Sequence, residues 1–218
     1  MAGPTPRGVT NSEIKSRILN VAQTSVFMVK LQPPAGVVSY LQEKGFNYSG
    51  QGEDVELMCC DAQLPGSNFF THDVVNDFSG MSEKMVYRRD YDSTANFSFY
   101  VNNRYDVVEM FDGWSDYCAG QNTRSPEDYK RPYVNYRMNF PDEPGAGYRT
   151  NIHLTKFEKH VGSQKAGHAP QYALEYTFVN AFPLSVNPVK LSYQSSDLMK
   201  YSIGISYSRY VRERVNAN

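Results

Sequence analysis

The sequence contains little cysteine, almost no net charge and no long hydrophobic run. Three of its 218 residues are cysteines, and the formal charge is −1 at pH 7. Cys59 and Cys60 are adjacent and poorly placed to bridge each other, and an odd total indicates a reducing compartment. The small charge argues against electrostatic binding to nucleic acid or an anionic membrane. No run of roughly 18 apolar residues and no signal-peptide core occur, so we expect the chain to stay in the cytoplasm where it is made.

Motifs that carry chemistry are also missing. The chain has no Gly-x-Ser-x-Gly nucleophile elbow, no phosphate-binding Gly-x-x-x-x-Gly-Lys and no Gly-x-Gly-x-x-Gly between a strand and a helix. Its four histidines form no helix-spaced pair, and the two in the loop at 159–170 have no cysteine beside them. Cys118 is the one candidate nucleophile, but it lies on the apolar stripe of a predicted helix, where a thiol is inert. We therefore predict no catalytic, cofactor or metal residues, and a binding or structural role in place of an enzyme.

Aromatic residues are abundant, and most of them are tyrosine. The chain has 17 Tyr and 12 Phe but a single Trp. Tyrosine joins an apolar ring to a polar tip, which suits subunit interfaces, although the outward faces of an ordinary β-protein explain the same abundance. Alternation and β-rich runs predict a mainly β fold, with strands at 24–31, 53–63, 95–101, 134–138, 149–157, 172–179 and 199–207. Residues 182–186 are expected to interrupt the strand that begins at 172.

One helix is predicted, over residues 103–119. Asn102 or Asn103 is its expected N-cap, and Asp106 lies in the first turn, where the helix dipole favours a carboxylate. Gly120 occupies the position of a left-handed C-cap. A single apolar stripe predicts that the helix packs on a sheet, and it consists of Val107, Phe111, Trp114 and Cys118.

The remaining segments are expected to be loops around one domain. Residues 1–20 are predicted to form a flexible N-terminal arm, and residues 21–218 a single β-domain. Pro, Gly, Ser and Asn dominate residues 32–52, which predicts a long loop or small insertion between two strands of one hairpin. A further loop is predicted at 159–170.

A long polar segment from Gly66 to Lys84 carries several large apolar side chains. Loops of this length without their own structure are uncommon and usually functional, and exposed phenylalanines are costly unless a partner covers them. A long β-hairpin folded back on its own core is the alternative. The apolar residues concerned are Phe69, Phe70, Val74, Val75 and Phe78.

The last strand alternates more regularly than any other. Its core face is expected to hold Met199, Tyr201, Ile203, Ile205 and Tyr207. Its other face is small and hydrophilic, with Lys200, Ser202, Gly204, Ser206 and Ser208. Such a face is smooth enough to line a passage, as in β-barrel channels, but a plain solvent-exposed face has the same composition.

Three stretches together resemble a known family. The first is Met-Cys-Cys-Asp-Ala-Gln-Leu-Pro-Gly at 58–66, a strand that ends in Leu-Pro and leads into the long segment. The second is 92–120, where a strand leads through Val-Asn-Asn into the helix. The third comprises 176–183, 191–195 and 199–207. The order of these parts resembles the tail tube protein of contractile-tailed bacteriophages (myophages), a family that includes related secretion-system and pyocin tube proteins.

The resemblance implies a structural virion protein with two packed antiparallel β-sheets and one flanking helix. It implies that six subunits form a ring with a continuous inner barrel, and that stacked rings form a tube that conducts DNA to the host after the sheath contracts. The implied partners are other copies of the chain, the sheath, and baseplate and terminator proteins, and the implied location is the virion tail, assembled in the host cytoplasm. The resemblance implies that the long segment is a stacking hairpin over 66–84 that forms the family's ring-to-ring contact, so its apolar residues are expected there. The resemblance places a barrel around a lumen, and the last strand has a small hydrophilic face. We therefore expect Ser202, Ser206 and Ser208 to face the lumen.

Two alternatives remain open at this stage. The insertion at 32–52 and the loop at 159–170 are longer than a minimal tube subunit needs, which fits an outer surface that grips the sheath or a specialised baseplate or tail-terminator ring of the same fold. A monomeric β-sandwich that binds glycan or peptide through tyrosine-rich loops is the second alternative.

Overall fold

The chain folds into antiparallel β-structure with helices packed against it. A computed structural model describes residues 22, 24–75, 80–120, 138–157, 172–194 and 197–216. The strands are β1 (Phe27–Lys30), β2 (Cys59–Ala62), β3 (Ser67–Val75), β4 (Ser82–Tyr91), β5 (Thr94–Tyr100), β6 (Thr150–Lys156), β7 (Tyr172–Val186), β8 (Lys200–Ser206) and β9 (Arg209–Asn216). The helices are α1 (Ala35–Glu43), α2 (Tyr48–Leu57) and α3 (Asp106–Cys118). The predicted fold class, mainly β with antiparallel sheets, is confirmed.

Seven strands form one sheet, and two form another. The large sheet has the order β1-β6-β7-β8-β5-β2, with β9 paired to β7, and β3 and β4 form the second sheet. Strands β8 and β9 lie in succession along β7, with Ser206 opposite Phe182 and Arg209 opposite Val179. The long strand β7 therefore joins the two halves of the large sheet. The strands within the described residues do not close into a barrel.

The core lies where the two halves of the large sheet meet the helices. The ring of Phe97 in β5 meets that of Phe178 in β7 edge to face, at 5.8 Å between ring centres. Tyr207 packs against Phe178 at 5.0 Å, and Phe111 of α3 against Phe99 of β5 at 5.2 Å. Aromatic pairs at these distances add stabilisation beyond the area they bury.

Helix α3 packs on the sheet as the sequence predicts. Val107, Phe111 and Trp114 are fully buried, and Trp114 Nε1 donates a hydrogen bond to the Tyr148 carbonyl at 2.9 Å. Cys118, at the end of the stripe, is half-buried. Gly120 adopts a positive φ of 69°, as a left-handed C-cap requires.

The predicted N-cap is only partly correct. Tyr105 occupies the cap position with a left-handed φ of 60°, and its side chain makes no capping hydrogen bond. Asn102 contributes from three residues further back, because its Oδ1 accepts a hydrogen bond from the Asp106 backbone N–H at 3.0 Å. An asparagine side chain therefore still satisfies a free N–H group at this helix end.

The loop predicted at 32–52 is wrong, because these residues form α1 and the first half of α2. Val37, Tyr40 and Leu41 are the buried residues of α1, and their spacing places them on one face of a helix. Pro34 stands just before the first turn, where a missing backbone N–H breaks no helical hydrogen bond. The prediction of a single helix is therefore also wrong, since the described residues contain three.

The strand predicted at 53–63 is wrong in its first half, since α2 continues to Leu57, and correct in its second half, which forms β2. Asn47 caps α2, because its Oδ1 accepts from Ser49 N at 3.2 Å. Gln51 Oε1 accepts from Asn47 N at 2.8 Å, which fixes the cap from the other side. These caps stabilise a helix with two glycines and a weak apolar stripe. Because the stripe is weak, the alternation of residues in the second half of the helix resembles that of a strand.

Strand β7 is not interrupted at 182–186. It runs through Pro183, which is buried, and a register shift against β8 falls between Pro183 and Ser185. Proline is tolerated within a sheet at such bulges. Asn180, with a φ of 58°, lies where the buried positions of β7 change from Tyr176 and Phe178 to Ala181 and Pro183. Five other predicted strands are confirmed to within a few residues, at 24–31, 95–101, 149–157, 172–179 and 199–207. Three predictions lie outside the described residues, those for 1–20, 134–137 and 159–170.

Candidate assembly surface

The segment from Gly66 to Lys84 belongs to a hairpin that stands apart from the core. Strands β3 and β4 pair from Ser67 opposite Tyr91 to Val75 opposite Ser82. Every residue from 68 to 75 and from 80 to 89 is exposed, so the alternative of a hairpin folded onto the core is wrong. The loop without structure of its own is also wrong, because the described part of this segment is a regular two-stranded sheet.

One face of the hairpin carries a set of apolar side chains that we call the apolar hairpin face. A bulge between Phe70 and Thr71 leaves Tyr87 unpaired and turns its ring toward Phe70, at 6.3 Å between ring centres. Phe70 is 44% exposed and Tyr87 is 68% exposed, although both are large apolar rings. Cross-strand pairing and alternation place Val74 and Met85 on the same face. The same face also carries Arg88 opposite Phe70, His72 opposite Met85 and Glu83 opposite Val74.

The opposite face is apolar at its ends and charged between them. Phe69, Val75 and Val86 are exposed there, and Asp73 lies directly opposite Lys84. The predicted contact residues are therefore divided, with Phe70 and Val74 on one face and Phe69 and Val75 on the other. Phe78, the fifth predicted residue, lies outside the described residues.

Sequence reasoning missed the contribution of β4 to this surface. Met85, Val86 and Tyr87 are all exposed apolar residues in the middle of the strand. The sequence alone contains a sign of this, because the three residues are consecutive. Three consecutive apolar residues between Lys84 and Arg88 cannot all face one side of a strand, which indicates a strand exposed on both faces.

A cluster of four side chains joins the base of the hairpin to the large sheet. Arg89 donates to Ser67 Oγ from Nε at 3.2 Å and from Nη2 at 3.0 Å, and to the Tyr210 hydroxyl from Nη2 at 3.1 Å. The rings of Tyr91 and Tyr210 meet edge to face at 5.5 Å. Hydrogen bonding with Ser67, and then with Arg89, lowers the pKa of Tyr210 from its ordinary value. The cluster links β3 and β4 of the hairpin to β9.

The small hydrophilic side of β8 continues onto β5, and we call this surface the polar strand face. Ser202 lies opposite Ser98 with 2.9 Å between their Oγ atoms, and Ser206 lies opposite Thr94. Asn96, opposite Gly204, completes the face with an uncharged amide. These side chains are hydroxyl or amide groups, so the face is polar and uncharged between Ser202 and Ser206, with Lys200 at its end.

The structure separates the three serines predicted to face a lumen. Ser202 and Ser206 are half-buried on the same side of β8. Ser208 is exposed in the bend between β8 and β9, and its backbone N donates to the Val179 carbonyl at 3.0 Å. The buried face of β8 holds Tyr201, Ile203 and Ile205 as predicted, with Tyr207 next to it.

The described residues provide no metal-binding group, since no three His, Cys, Asp or Glu side chains among them converge. His153 Nδ1 lies 2.9 Å from Glu175 Oε1 and 3.1 Å from Thr177 Oγ1, a polar group on the exposed side of the sheet. Burial raises the pKa of the Cys118 thiol to about 12, and that of Cys59 to about 12, which agrees with inert thiols. None of the helices in the part of the chain that the structure describes has the length and apolar character to cross a membrane.

Comparison with known proteins identifies the family. Residues 22–213 match the phage tail tube protein family. The chain belongs to this family. It is therefore a structural protein of the tail tube type, and the family consists of tube proteins and not of enzymes. A search of curated proteins gave no match.

Solved structures of contractile injection systems are similar to this tail tube protein at low sequence identity. The chain is similar to the tube-terminating cap of the anti-feeding prophage, with a TM-score of 0.51 and 13% identity over 89% of this chain and 92% of that chain. It is also similar to a sheath/tube terminator of an extracellular contractile injection system, with a TM-score of 0.46 and 11% identity over 88% and 96% of the two chains. A sheath–tube complex of such a system gives a TM-score of 0.45 and 10% identity over 95% and 100%.

Proposed function

We propose that the chain is the repeating subunit of the inner tube of a contractile phage tail, in which stacked hexameric rings conduct DNA to the host. The observation that carries this proposal is the apolar hairpin face, which an isolated subunit leaves in water. Exposed apolar patches on soluble proteins mark interaction sites. A two-stranded sheet is also only marginally stable by itself, so a covering partner would stabilise the hairpin.

The proposed partner of the hairpin is another copy of the chain in the adjacent ring. Both faces of the hairpin carry exposed apolar side chains, so the hairpin suits a position between two neighbouring subunits. A contact between a hairpin and a different surface of the next copy is heterologous, and such contacts repeat along an axis. Repetition of this kind produces a stack of rings. The sheath around the tube, and the baseplate and terminator at its ends, are the further proposed partners, with assembly in the host cytoplasm.

The edges of the large sheet suit closure into a ring. Strands β1 and β2 end the sheet and have four residues each, and β9 is paired on one side only within the described chain. An unpaired strand edge is a template for another chain, and closure of a ring removes it. Six subunits in a ring is the number that the resemblance to contractile tail tubes implies.

The polar strand face is proposed to line the lumen, with Ser202, Ser206 and Ser208 toward the DNA. Proteins that hold DNA tightly neutralise phosphates with Lys and Arg. Hydroxyl and amide groups make weak contacts with phosphate by comparison, so DNA can slide past them. Lys200, near the ring of Tyr100 at one end of this face, is the nearest cation along the strand.

The proposal is tested by light scattering after gel filtration and by negative-stain microscopy of the purified protein. The wild type is expected to form rings of six times the mass of the chain, and tubes at high concentration. The double substitution Phe70→Ser and Tyr87→Ser removes two exposed rings from the apolar hairpin face. Because surface substitutions change the free energy of unfolding by about 0.5 kcal/mol or less, the fold should persist while tubes disappear and rings remain.

The matched control removes an apolar side chain of similar exposure elsewhere. Leu57 lies at the end of α2 and is 78% exposed, so Leu57→Ser changes surface hydrophobicity without touching the hairpin. It should form tubes as the wild type does. Wild-type protein that elutes as a monomer at high concentration would contradict the proposal in favour of a monomeric binding module. Rings that never stack would instead indicate a baseplate or terminator ring.

A further inference from the structure

The direction in which the hairpin points is set by contacts at its base. Residues 92 and 93 link β4 to β5, and residues 63–66 link β2 to β3. Both links lie outside the strands, so the covalent connection alone leaves the hairpin free to pivot. The backbone hydrogen bond from Asp92 N to the Gly66 carbonyl, at 3.2 Å, holds the two links together. Gln63 N donates to the Asn96 carbonyl at 3.1 Å, and the Ser93 carbonyl accepts from Tyr207 N at 3.0 Å, which holds the inner ends of the links to the large sheet. None of these bonds joins β3 or β4 to β9.

Arg89 makes the most contacts of the side chains that connect the hairpin to the large sheet, beside the Tyr91–Tyr210 ring contact and a hydrogen bond from the Tyr210 hydroxyl to Ser67 Oγ at 3.4 Å. Its guanidinium donates to Ser67 on β3 and to Tyr210 on β9, as described above. The same group lies 4.7 Å from the ring centre of Tyr91 and 5.6 Å from that of Tyr210. A guanidinium can donate several hydrogen bonds in its plane while it stacks on aromatic rings, and a lysine ammonium cannot reproduce this geometry.

We propose that Arg89 is a positioning residue that fixes the direction of the hairpin and thereby sets the concentration at which rings stack. The stacking part of this inference rests on the proposed function. A hairpin already held in one direction loses less conformational freedom when it docks on the next ring, so docking is stronger. Apparent affinity falls in proportion to the fraction of molecules whose hairpin points correctly.

The neighbouring Arg88 provides a matched control. It carries the same charge on the same strand, but its guanidinium lies over Phe70 within the hairpin, at 5.7 Å from the ring centre. Arg88→Ala and Arg89→Ala therefore remove the same side chain and the same charge, and only the second removes the guanidinium contacts with Tyr210 of β9. Tyr210→Phe retains the ring contacts and removes the hydroxyl that accepts from Arg89 and donates to Ser67 Oγ, so its effect should be intermediate.

The first measurement concerns the direction of the hairpin and does not depend on assembly. Residual dipolar couplings of backbone amides are recorded for the full chain in the background of Phe70→Ser and Tyr87→Ser, which is expected not to stack. Amides of β3 and β4 should fit the same alignment tensor as those of the large sheet. Arg89→Ala should reduce the hairpin couplings alone, whereas Arg88→Ala should leave them unchanged.

The second measurement concerns stacking in the otherwise wild-type chain. Arg89→Ala should raise the protein concentration needed for tube growth about tenfold, equivalent to about 1.4 kcal/mol, with the melting temperature and the ring mass unchanged. Unchanged hairpin couplings in Arg89→Ala would overturn the inference whatever the protein assembles into. If Arg89→Ala reduces the hairpin couplings but leaves the concentration needed for tube growth unchanged, the claim that the direction of the hairpin controls stacking is overturned. If the wild type forms no tubes, the proposed function fails, while the couplings still decide whether Arg89 holds the hairpin.

Discussion

Asp106 is a buried carboxylate at the start of α3, and replacing it with alanine should destabilise the fold markedly. It is 1% exposed. Gln51 Nε2 donates to its Oδ1 at 3.0 Å, and Asn102 Nδ2 donates to its Oδ2 at 2.6 Å. Arg104 Nε also donates to Oδ2, at 3.1 Å. The carboxylate therefore joins α2, the segment before α3, and α3 itself.

The expected loss follows from the two amide donors. A hydrogen bond to a charged group contributes about 1.5 kcal/mol or more, so loss of the bonds from Gln51 and Asn102 should lower the free energy of unfolding by about 3 kcal/mol. Arg104 adds little to this sum, because its side chain is 55% exposed and water replaces the lost bond. Asp106→Asn keeps one oxygen acceptor, so about half of the loss is expected.

Urea unfolding followed by tryptophan fluorescence measures this change. Trp114 is the single tryptophan of the chain and is buried in the same helix, so its emission reports on α3 directly. Asp54 is the control: it pairs with Arg104 at 2.8 Å but is 48% exposed, so Asp54→Ala should change the free energy by about 0.5 kcal/mol or less. Equal effects of Asp106→Ala and Asp54→Ala would refute the reasoning, because a buried network would then be worth no more than a surface ion pair.

Two further predictions concern stability. A Cβ added at Gly113 would lie 2.5 Å from Leu41 Cδ2, so Gly113→Ala should destabilise by up to about 2 kcal/mol, since overpacking exceeds the helical gain. Gly50→Ala in α2 meets open space and should stabilise by about 0.5 kcal/mol or more in the same urea titration; equal signs for the two variants would contradict the packing argument. Glu56 Oε1 accepts from Leu31 N at 2.6 Å, and burial raises the pKa of this carboxyl above its ordinary value of 4.5. Because the pKa of Glu56 is raised in the folded state, the neutral carboxyl adds to the free energy of unfolding. This added stability is fully present below pH 4.5 and is lost as the pH rises through the raised pKa. Glu56→Gln keeps the acceptor and should remove that part of the pH dependence of stability. Glu56→Ala should lower the free energy of unfolding by about 1 kcal/mol or more at every pH. If the stability of Glu56→Gln depends on pH as that of the wild type does, Glu56 is not the source of the dependence.

Elements with a strong local pattern could be predicted from the sequence. Strand β8 alternates apolar and small residues from Tyr201 to Ser206, and the stripe of α3 recurs at helical spacing, so both were located correctly. Helix α2 could not be located in this way. Its mean pattern is weak, its stability comes from the Asn47 cap, and its last residues alternate as a strand would.

The candidate assembly surface was predictable in place but not in shape. Exposed phenylalanines marked the segment, whereas the division of Phe69 and Phe70 between two faces depends on the pairing of β3 with β4. The bulge that turns Tyr87 toward Phe70 depends on the same pairing. The contact between Arg89 and Tyr210 joins residues 121 positions apart in the chain, and no local pattern encodes such a contact.

A cryo-electron microscopy reconstruction of the assembled protein tests the central claim most directly. The account predicts six subunits in each ring, the apolar hairpin face with Phe70 and Tyr87 buried against the adjacent ring, and Ser202 and Ser206 open to the lumen. Hairpins that point into solvent, or serines of the polar strand face buried against another sheet, would contradict it.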